Sequence, residues 1–268
     1  IAHVAAHTRS IRLGSGGVML PNHPPLVIAE QFGMLETLHP GRIDLGLGRA
    51  PGSDQNTARA LRRDPMAADR FPQDVLELQG YLTGPSRIPG VNAYPGMGTN
   101  VPLYILGSSL FGANLAAALG LPYGFASHFS PEALEEAVAA YRREFRPSAQ
   151  LDRPYVNAGV NVIAADTSAA AQEQFAVVRR RRVALLLGFD GCSDDEADML
   201  VASARGQRLL QMMRYSAVGN PGEVKEYLDG FARHADADEL IVAHQAPTVE
   251  TRLRSAALLA DVSQLQAA

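Results

Sequence analysis

A run of glycines inside a strand-like segment is the first feature of this sequence that could serve chemistry. Residues 13–21 read LGSGGVMLP, with Ser15, Gly16 and Gly17 at the centre of the run. Each glycine weakens a buried strand by roughly 0.5 to 1 kcal/mol relative to alanine. We therefore expect the lack of side chains to serve a close packing contact or a binding function. The run predicts either a bulge against which a flat ring packs or a close contact between a helix and the strand. The residues alone favour neither.

Arg49 stands directly after a second strand-like segment. Residues 43–52 read IDLGLGRAPG, and Pro51 and Gly52 are predicted to turn the chain. In a barrel of parallel strands this end faces the active site, where the forked guanidinium can donate to a phosphate or a carboxylate. A surface salt bridge is the alternative. The small residues that flank Arg49 favour the functional interpretation.

A third segment, residues 103–110, ends a predicted strand with small polar residues before a helix from Phe111 to Leu119. These residues are Gly107, Ser108 and Ser109. Backbone N–H groups and the helix dipole at such a junction favour an anion, and serine hydroxyls add further donors. Ordinary N-capping by Ser108 or Ser109 is the alternative, and it is compatible with that role. Together with Arg49, the junction predicts one phosphate site built from neighbouring strand ends.

Three of the seven histidines lie where a substrate could meet them. His128 and His244 follow predicted strands, and His128 is the candidate catalytic residue because an imidazole can transfer protons near neutral pH. His23 and His244 are expected to line the substrate cleft. Partial exposure on a loop is the alternative for His128 and His244, and shaping of a proline-rich turn is the alternative for His23. Histidines and carboxylates show no metal-ligand spacing on one element, so no metal site is predicted.

Six candidate strands alternate with helical patterns, as expected of repeated βα units and a parallel sheet buried on both faces. The strands are residues 11–20, 43–48, 103–106, 123–126, 156–164 and 239–243. Pro25 and Pro221 open two of the helices, and Pro131 opens another with Ser130 as its N-cap. An eight-stranded barrel needs more strands than these, whereas a doubly wound sheet does not. The count alone therefore leaves both folds open.

Two segments lack the periodicity of helices or strands. Residues 85–99 are rich in proline and glycine and predict a long irregular loop before a strand. Residues 188–198 are polar and acidic and predict a surface excursion. The chain shows no linker-like shift in composition and no short repeat. One domain over residues 1–268 is therefore the expected organisation.

The composition excludes several classes of partner. The 268 residues are 47% hydrophobic, which is enough to bury a large core, and the net charge of -4 offers no positive field for nucleic acid or an anionic membrane. No apolar run reaches the roughly 20 residues that span a bilayer. The single cysteine, Cys192, cannot form an internal disulfide. A protein of the reducing cytoplasm is expected.

Residues 13–52, LGSGGVMLPNHPPLVIAEQFGMLETLHPGRIDLGLGRAPG, resemble the core signature of the luciferase-like monooxygenases. These are flavin or deazaflavin enzymes related to the subunits of bacterial luciferase. The later segments LGSSLFGANLAAALGLPYGFASHFSPE, SAVGNPGEV and ADELIVAH are similar to elements of the family in the same order. The resemblance covers nearly the whole chain. It implies an α/β fold, the (β/α)8 TIM barrel of the bacterial-luciferase type.

The resemblance also implies roles for individual residues. The Gly16-Gly17 step matches a bulge with a non-prolyl cis peptide that supports the isoalloxazine ring of the flavin, and Ser15 belongs to the same cofactor-binding stretch. Arg49 matches a basic residue that contacts the flavin phosphate. The helix start that matches the family's phosphate side consists of Gly107, Ser108 and Ser109. A threonine that often holds this phosphate is replaced here by Gly112 or Ala113.

A flavin-dependent monooxygenase is the activity that the resemblance implies, with reduced FMN and O2 as co-substrates and a small organic molecule as the substrate. It further implies a separate flavin reductase as the source of reduced FMN, and a homodimer formed through helices of the first half of the barrel. The same features suit a deazaflavin, so a deazaflavin-dependent hydride transferase is the first alternative. A flavin-binding relative without catalysis is the second.

The family's first barrel elements are missing from this sequence. Members begin with a strand, a helix and a second strand that ends in an acidic residue and histidines facing the flavin. None of these precedes Ile11. We therefore expect the sequence to begin about 60 residues into a longer protein, with the first two strands of the barrel upstream of Ile1.

Overall fold

The computed structural model describes residues 1–50, 55–64, 66–84, 86–189 and 191–264. The predicted turn at Pro51 and Gly52 and the first residue of the predicted loop, Pro85, lie outside the described residues. The rest of that loop, residues 86–99, contains no helix or strand, as predicted. No helix in the described ranges is both long enough and apolar enough to cross a membrane.

Strands and helices alternate along the chain, as the sequence predicts for an α/β fold. The strands are β1 (Leu13–Met19), β2 (Ile43–Gly48), β3 (Leu103–Gly107), β4 (Tyr123–Phe125), β5 (Val156–Ala164), β6 (Ser216–Gly219) and β7 (Glu239–His244). The helices are α1 (Ala2–Ala6), α2 (Pro25–Leu38), α3 (Gln55–Ala60), α4 (Phe71–Thr83), α5 (Leu110–Leu119), α6 (Leu134–Glu144), α7 (Ser168–Leu187), α8 (Asp194–Ala202), α9 (Ala204–Leu210), α10 (Pro221–His234) and α11 (Val249–Val262).

Strand β6 is an addition to the six predicted strands. It has only four residues, and Asn220 and Pro221 follow it at once as the cap and first residue of α10. The Asn220 side chain accepts a hydrogen bond from the Glu223 N–H, and the Glu223 carboxylate accepts one from the Asn220 N–H. The capping signal marks the helix clearly, but the strand before it is too short to show a period of its own.

Two predicted helix features differ in the structure. The helix expected from Pro131 begins at Leu134, because residues 131–133 form a turn, and the Ser130 hydroxyl contacts the Glu132 carboxylate instead of capping a helix. The expected surface excursion over residues 188–198 includes the start of α8. Ser193 and Glu196 form a reciprocal capping pair there, and acidic residues in the first turn favour the positive end of the helix dipole.

The described residues group into two compact units, and the predicted single domain stays a prediction. The first unit contains residues of 1–124 and 140–155, and its strands lie in the order β1-β2-β3-β4. Strand β2 is parallel to both β1 and β3 and buries Ile43, Leu45 and Leu47 completely. Burial explains why these three side chains are apolar, and the two neighbouring strands satisfy the backbone hydrogen bonds of β2.

The second unit contains residues of 125–139 and 156–264, and β5 is its central strand. All nine residues of β5 are buried, and the strand pairs in parallel with β6 over residues 161–164 and with β7 over residues 157–162. The Asp238 carboxylate accepts a hydrogen bond of 2.8 Å from the Val156 N–H and holds the start of β5. Side chains alternate along a strand, so Asn157, Gly159 and Asn161 share one face of β5.

Candidate functional site

The glycine run of β1 forms an irregular step against β2. The pairing register between the two strands shifts between Ser15 and Val18, and the peptide bond between Gly16 and Gly17 is cis. The Ser15 hydroxyl donates a hydrogen bond of 2.8 Å to the Gly46 carbonyl oxygen. The structure thus contains the bulge and the cis peptide at the position that the family resemblance gives. Their role in supporting a flavin ring stays a prediction.

Close contact between strands accounts for Gly17 and Gly46. A Cβ atom on Gly17 would lie 2.7 Å from the Gly46 carbonyl oxygen and 2.7 Å from Leu106 Cδ1. A Cβ atom on Gly46 would lie 2.2 Å from the Ser15 carbonyl oxygen. Since both contacts involve backbone atoms, a side chain at either position would push the strands apart. The close approach joins two strands, not a helix and a strand as one interpretation of the run expected.

Gly16 has a different environment from its neighbour Gly17. A Cβ atom on Gly16 would meet no atom of the described residues within 4 Å, and the residue is exposed. The absence of a side chain here is therefore not needed for packing within the described structure. A planar ring could therefore approach the backbone at Gly16 without meeting a side chain of that residue.

Arg49 follows β2 and contacts the start of α5. The carbon of its guanidinium lies 4.0 Å from the centroid of the Phe111 ring, and Phe111 is the second residue of α5. Arg49 forms no ion pair with the described residues, so the salt bridge considered as an alternative is absent from that part of the chain. The contact places the exposed and permanently charged guanidinium of Arg49 beside the first turn of α5.

The first turn of α5 has backbone N–H groups that no described side chain caps. Ser109 is the N-cap residue, with extended backbone angles (φ -152, ψ 163), but its side chain makes no capping hydrogen bond with described residues. The buried Tyr123 hydroxyl donates to the Ser109 carbonyl oxygen at 3.1 Å and fixes this backbone. Burial raises the pKa of Tyr123, so the hydroxyl keeps its proton for that bond. Amides at an uncapped helix start bind anions readily.

These residues of the first unit form a donor set that fits a phosphate. Arg49 supplies a cation, α5 supplies free amides at its positive end, and the hydroxyls add neutral donors. The predicted members at the helix start are Gly107, Ser108 and Ser109. The group is at the carboxyl ends of β2 and β3, where parallel strands present their functional loops. Their function as a phosphate site stays a prediction that this geometry supports.

His128 belongs to the second unit and packs against β5. Its Nδ1 atom lies 2.2 Å from where a Cβ atom on Gly159 would be, so the ring fills the space that the glycine leaves. The Phe129 ring meets it edge-on, with 4.7 Å between ring centroids. Nδ1 is buried and has no hydrogen-bond partner among the described residues. Burial, followed by the positive charge of Arg182, lowers the pKa of His128. The imidazole is therefore neutral at pH 7.

Two buried side chains, which the sequence did not single out, attach the His128 segment to β5. The Asn161 side chain donates to the His128 carbonyl oxygen at 2.7 Å. The Ser127 hydroxyl donates to the Gly159 carbonyl oxygen at 2.6 Å. The signal that could have found Asn161 is the alternation in VNAGVNVIA, where Asn157, Gly159 and Asn161 interrupt an apolar strand on one face.

The other two predicted histidines have contacts of their own. His244 Nδ1 lies 2.8 Å from the Ser255 hydroxyl of α11, which leaves only Nε2 for a substrate, and burial lowers the pKa of His244. His23 is exposed, and its backbone N–H donates to the Leu20 carbonyl oxygen at 2.9 Å in a 3-10 turn. That bond suits a turn-shaping residue. The substrate-lining role of both histidines stays a prediction.

Within the residues that the structure describes, no three His, Cys, Asp or Glu side chains come together as a metal site. The candidate residues located above are hydrogen-bond donors, a cation and an imidazole.

Comparison with known proteins agrees with the geometry. The sequence profile of the luciferase-like monooxygenase family matches residues 1–243. A luciferase-like monooxygenase of Escherichia coli (strain K12) is 46% identical over 268 residues, which cover 98% of this chain and 80% of the relative. The crystal structure of apo-MsnO8 is similar to this chain with a TM-score of 0.88 and 34% identity. That likeness covers 100% of this chain and 81% of the other.

Two more distant structures show the fold alone. The oxygenating constituent of 3,6-diketocamphane monooxygenase from Pseudomonas putida, solved with FMN, has a TM-score of 0.59 at 16% identity and covers 91% of this chain and 75% of its own. The coenzyme F420 dependent tetrahydromethanopterin reductase from Methanopyrus kandleri has a TM-score of 0.64 at 18% identity, with coverage of 94% and 82%. The predicted fold class, an α/β barrel of the luciferase type, is confirmed.

Proposed function

The chain belongs to the luciferase-like monooxygenase family, and we propose that it uses reduced FMN and O2 to oxygenate a small organic substrate. The observation that carries the proposal is the position of Arg49 beside the uncapped start of α5. A monooxygenase needs a bound electron donor, and this donor set suits the phosphate of FMN. When bound, reduced FMN supplies two electrons, so that one oxygen atom of O2 enters the substrate and the other leaves as water.

The first unit supplies the binding functions in this proposal. Arg49 donates to the phosphate with two N–H groups, and the free amides of α5 donate from the helix end. The exposed backbone at Gly16 supports the planar ring, while the tight packing of Gly17 against Gly46 keeps that backbone in place. The Ser15 hydroxyl, already bonded to the Gly46 carbonyl oxygen, stiffens the same step.

The second unit supplies the candidate catalytic residue. A neutral imidazole can accept a proton at one nitrogen and donate one from the other, and His128 is neutral at pH 7 because of its burial and of Arg182. Asn161 fixes the His128 backbone, so the ring has a defined place on β5. We propose that His128 exchanges a proton with the substrate.

We also propose the partners and the compartment that the family resemblance suggests. A separate flavin reductase provides reduced FMN, the protein acts as a homodimer, and it works in the cytoplasm. The single cysteine, Cys192, suits a reducing compartment.

Isotope labelling tests the reaction directly. The protein is supplied with FMN, a flavin reductase and NADH under 18O2, with a panel of aldehydes, ketones and thioethers as substrates. We expect one 18O atom in the product of at least one substrate, and none when FMN is omitted. Hydride transfer from reduced coenzyme F420 with no 18O in any product would identify the deazaflavin alternative. FMN binding without either reaction would identify a relative that has lost catalysis.

A further inference from the structure

Asn157, the second residue of β5, is a buried polar residue whose side-chain oxygen is not satisfied within the described structure. The residue is 8% exposed, and its Oδ1 atom has no hydrogen-bond partner among the described residues. A buried polar group without a partner is unfavourable, and such groups are rare in folded proteins. An apolar side chain of the same size would suit this strand better. The packing of the strand therefore does not explain why this position is an asparagine, and we infer that the residue has another function.

A second group without a partner lies on the same face of β5. Asn157 and Gly159 are two residues apart and point to the same side, at a spacing of roughly 6.6 Å along the strand. The His128 ring occupies the space over Gly159, and its Nδ1 atom is also buried without a partner among the described residues. Two polar groups on neighbouring positions of one face can be satisfied by one bound molecule.

We propose that Asn157 and His128 form a polar subsite that binds the organic substrate through a neutral oxygen-bearing group that can donate a hydrogen bond, such as an amide or a hydroxyl. The proposal rests on the proposed function, since it names the substrate chemistry of the same enzyme. A carboxamide offers both a donor and an acceptor, and an imidazole nitrogen offers one or the other. The pair thus matches a group that can accept and donate at once.

The neighbouring side chains favour a neutral group over an ionised one. Ser127 and Asn161 are uncharged, and both are already bonded to backbone carbonyl oxygens. Arg182 lies near enough to His128 for its positive charge to lower the pKa of the imidazole. Burying an ionised group costs far more than burying a neutral one, so this single cation would have to offset the lost hydration of an anion.

The experiment uses three probes with the same eight-carbon chain: octanamide, octan-1-ol and octanoate. Each is titrated into the isotopically labelled full chain without FMN, and binding is followed through the side-chain NH2 resonances of Asn157 and the ring resonances of His128. We expect saturable shifts of both with octanamide and octan-1-ol, and affinities for octanoate that are roughly tenfold weaker. Absence of shifts with octanamide, or tighter binding of octanoate, would overturn the proposal.

The variant Asn157→Leu separates binding from structure. It replaces the unsatisfied oxygen and the NH2 group with methyl groups and keeps the branching of the side chain, so we expect the thermal unfolding midpoint to stay close to the wild-type value while octanamide binds at least roughly tenfold more weakly. The matched control is Asn114→Leu, at an exposed asparagine of α5, which should bind octanamide as the wild type does. A lower midpoint with unchanged octanamide binding would mean that Asn157 holds a structural water, and would contradict the subsite.

Titration with FMN keeps this inference separate from the proposed function. Asn157→Leu should bind FMN with the wild-type Kd, because Asn157 belongs to none of the groups assigned to the cofactor. Loss of octanamide binding with FMN binding intact supports the subsite. Normal octanamide binding in a protein that does not bind FMN would refute the cofactor proposal and leave the subsite standing.

Discussion

Gly17 and Gly46 lie so close across β1 and β2 that a Cβ atom on Gly17 would be 2.7 Å from the Gly46 carbonyl oxygen. The neighbouring Gly16 would carry a Cβ atom without any contact to described residues within 4 Å. The two adjacent glycines thus have different roles. Gly17 is required by the packing of β1 against β2, whereas the lack of a side chain at Gly16 leaves the surface of the strand accessible.

We predict opposite outcomes for alanine at these two positions. Gly17→Ala forces backbone atoms apart and should lower the free energy of unfolding by about 1–3 kcal/mol. Gly16→Ala meets no obstacle and should change that free energy by less than about 1 kcal/mol, while it weakens FMN binding by crowding the ring. Urea denaturation and FMN titration measure both effects. Equal destabilisation by the two variants would contradict this account of the step.

Phe111 should support cofactor binding through Arg49. The contact between the Arg49 guanidinium and the Phe111 ring is a cation–π pair, worth about 0.5–1 kcal/mol at an exposed position. Phe111→Leu should therefore weaken FMN binding about two- to fivefold, because Arg49 becomes free to adopt other rotamers. Fluorescence titration with FMN gives the Kd. The exposed Phe189 offers a control, and an equal loss in Phe189→Leu would show that the effect is unspecific.

The folded protein should lose stability as the pH falls below the ordinary range of histidine. Burial lowers the pKa of His128 and of His244 in the folded protein. Below pH about 6.5 these histidines therefore bind protons in the unfolded chain while they stay neutral in the folded chain. Stability from these groups is complete above that pH and declines as the pH falls through their folded-state pKa values. His128→Gln should reduce the slope of unfolding free energy against pH in this window. An unchanged slope in urea melts from pH 7 to pH 5 would refute the assignment.

Ser255 should matter for stability far more than an exposed serine of the same helix. Its hydroxyl is completely buried, accepts a hydrogen bond of 2.9 Å from the Ala164 N–H and also bonds His244. Ser255→Ala leaves the Ala164 N–H without a partner and should cost about 1–3 kcal/mol. Ser263→Ala, at the exposed end of α11, should stay within about 0.5 kcal/mol of the wild type. Similar unfolding midpoints for both variants would contradict the role of this buried bond.

The sequence predicted the elements whose signals are local. Long apolar runs gave β2 and β5, and Pro25 and Pro221 marked the starts of two helices because proline suits a first turn. Strand β6 was not predicted, because four residues are too few to show the alternation of side chains that is typical of a strand. The start of α8 could have been predicted from Ser193 and Glu196, which form a capping box in SDDE.

The candidate site was only partly predictable, because some of its contacts join distant segments. Arg49 and Ser109 follow strands and could be selected by position, whereas the contact of Arg49 with Phe111 depends on how the end of β2 lies against the start of α5. The position of the His128 ring over Gly159 and the unsatisfied side-chain oxygen of Asn157 both depend on tertiary packing. A polar residue within an apolar strand is the one local sign of them.

Riboflavin lacks the phosphate of FMN, so the difference in affinity between the two flavins measures what the phosphate contributes to binding. We predict that the wild-type chain binds FMN at least roughly tenfold more tightly than riboflavin, since Arg49 and the amides of α5 donate to the phosphate. In Arg49→Ala most of that preference should disappear, while the Kd for riboflavin stays the same. An unchanged preference for FMN in Arg49→Ala would contradict the account.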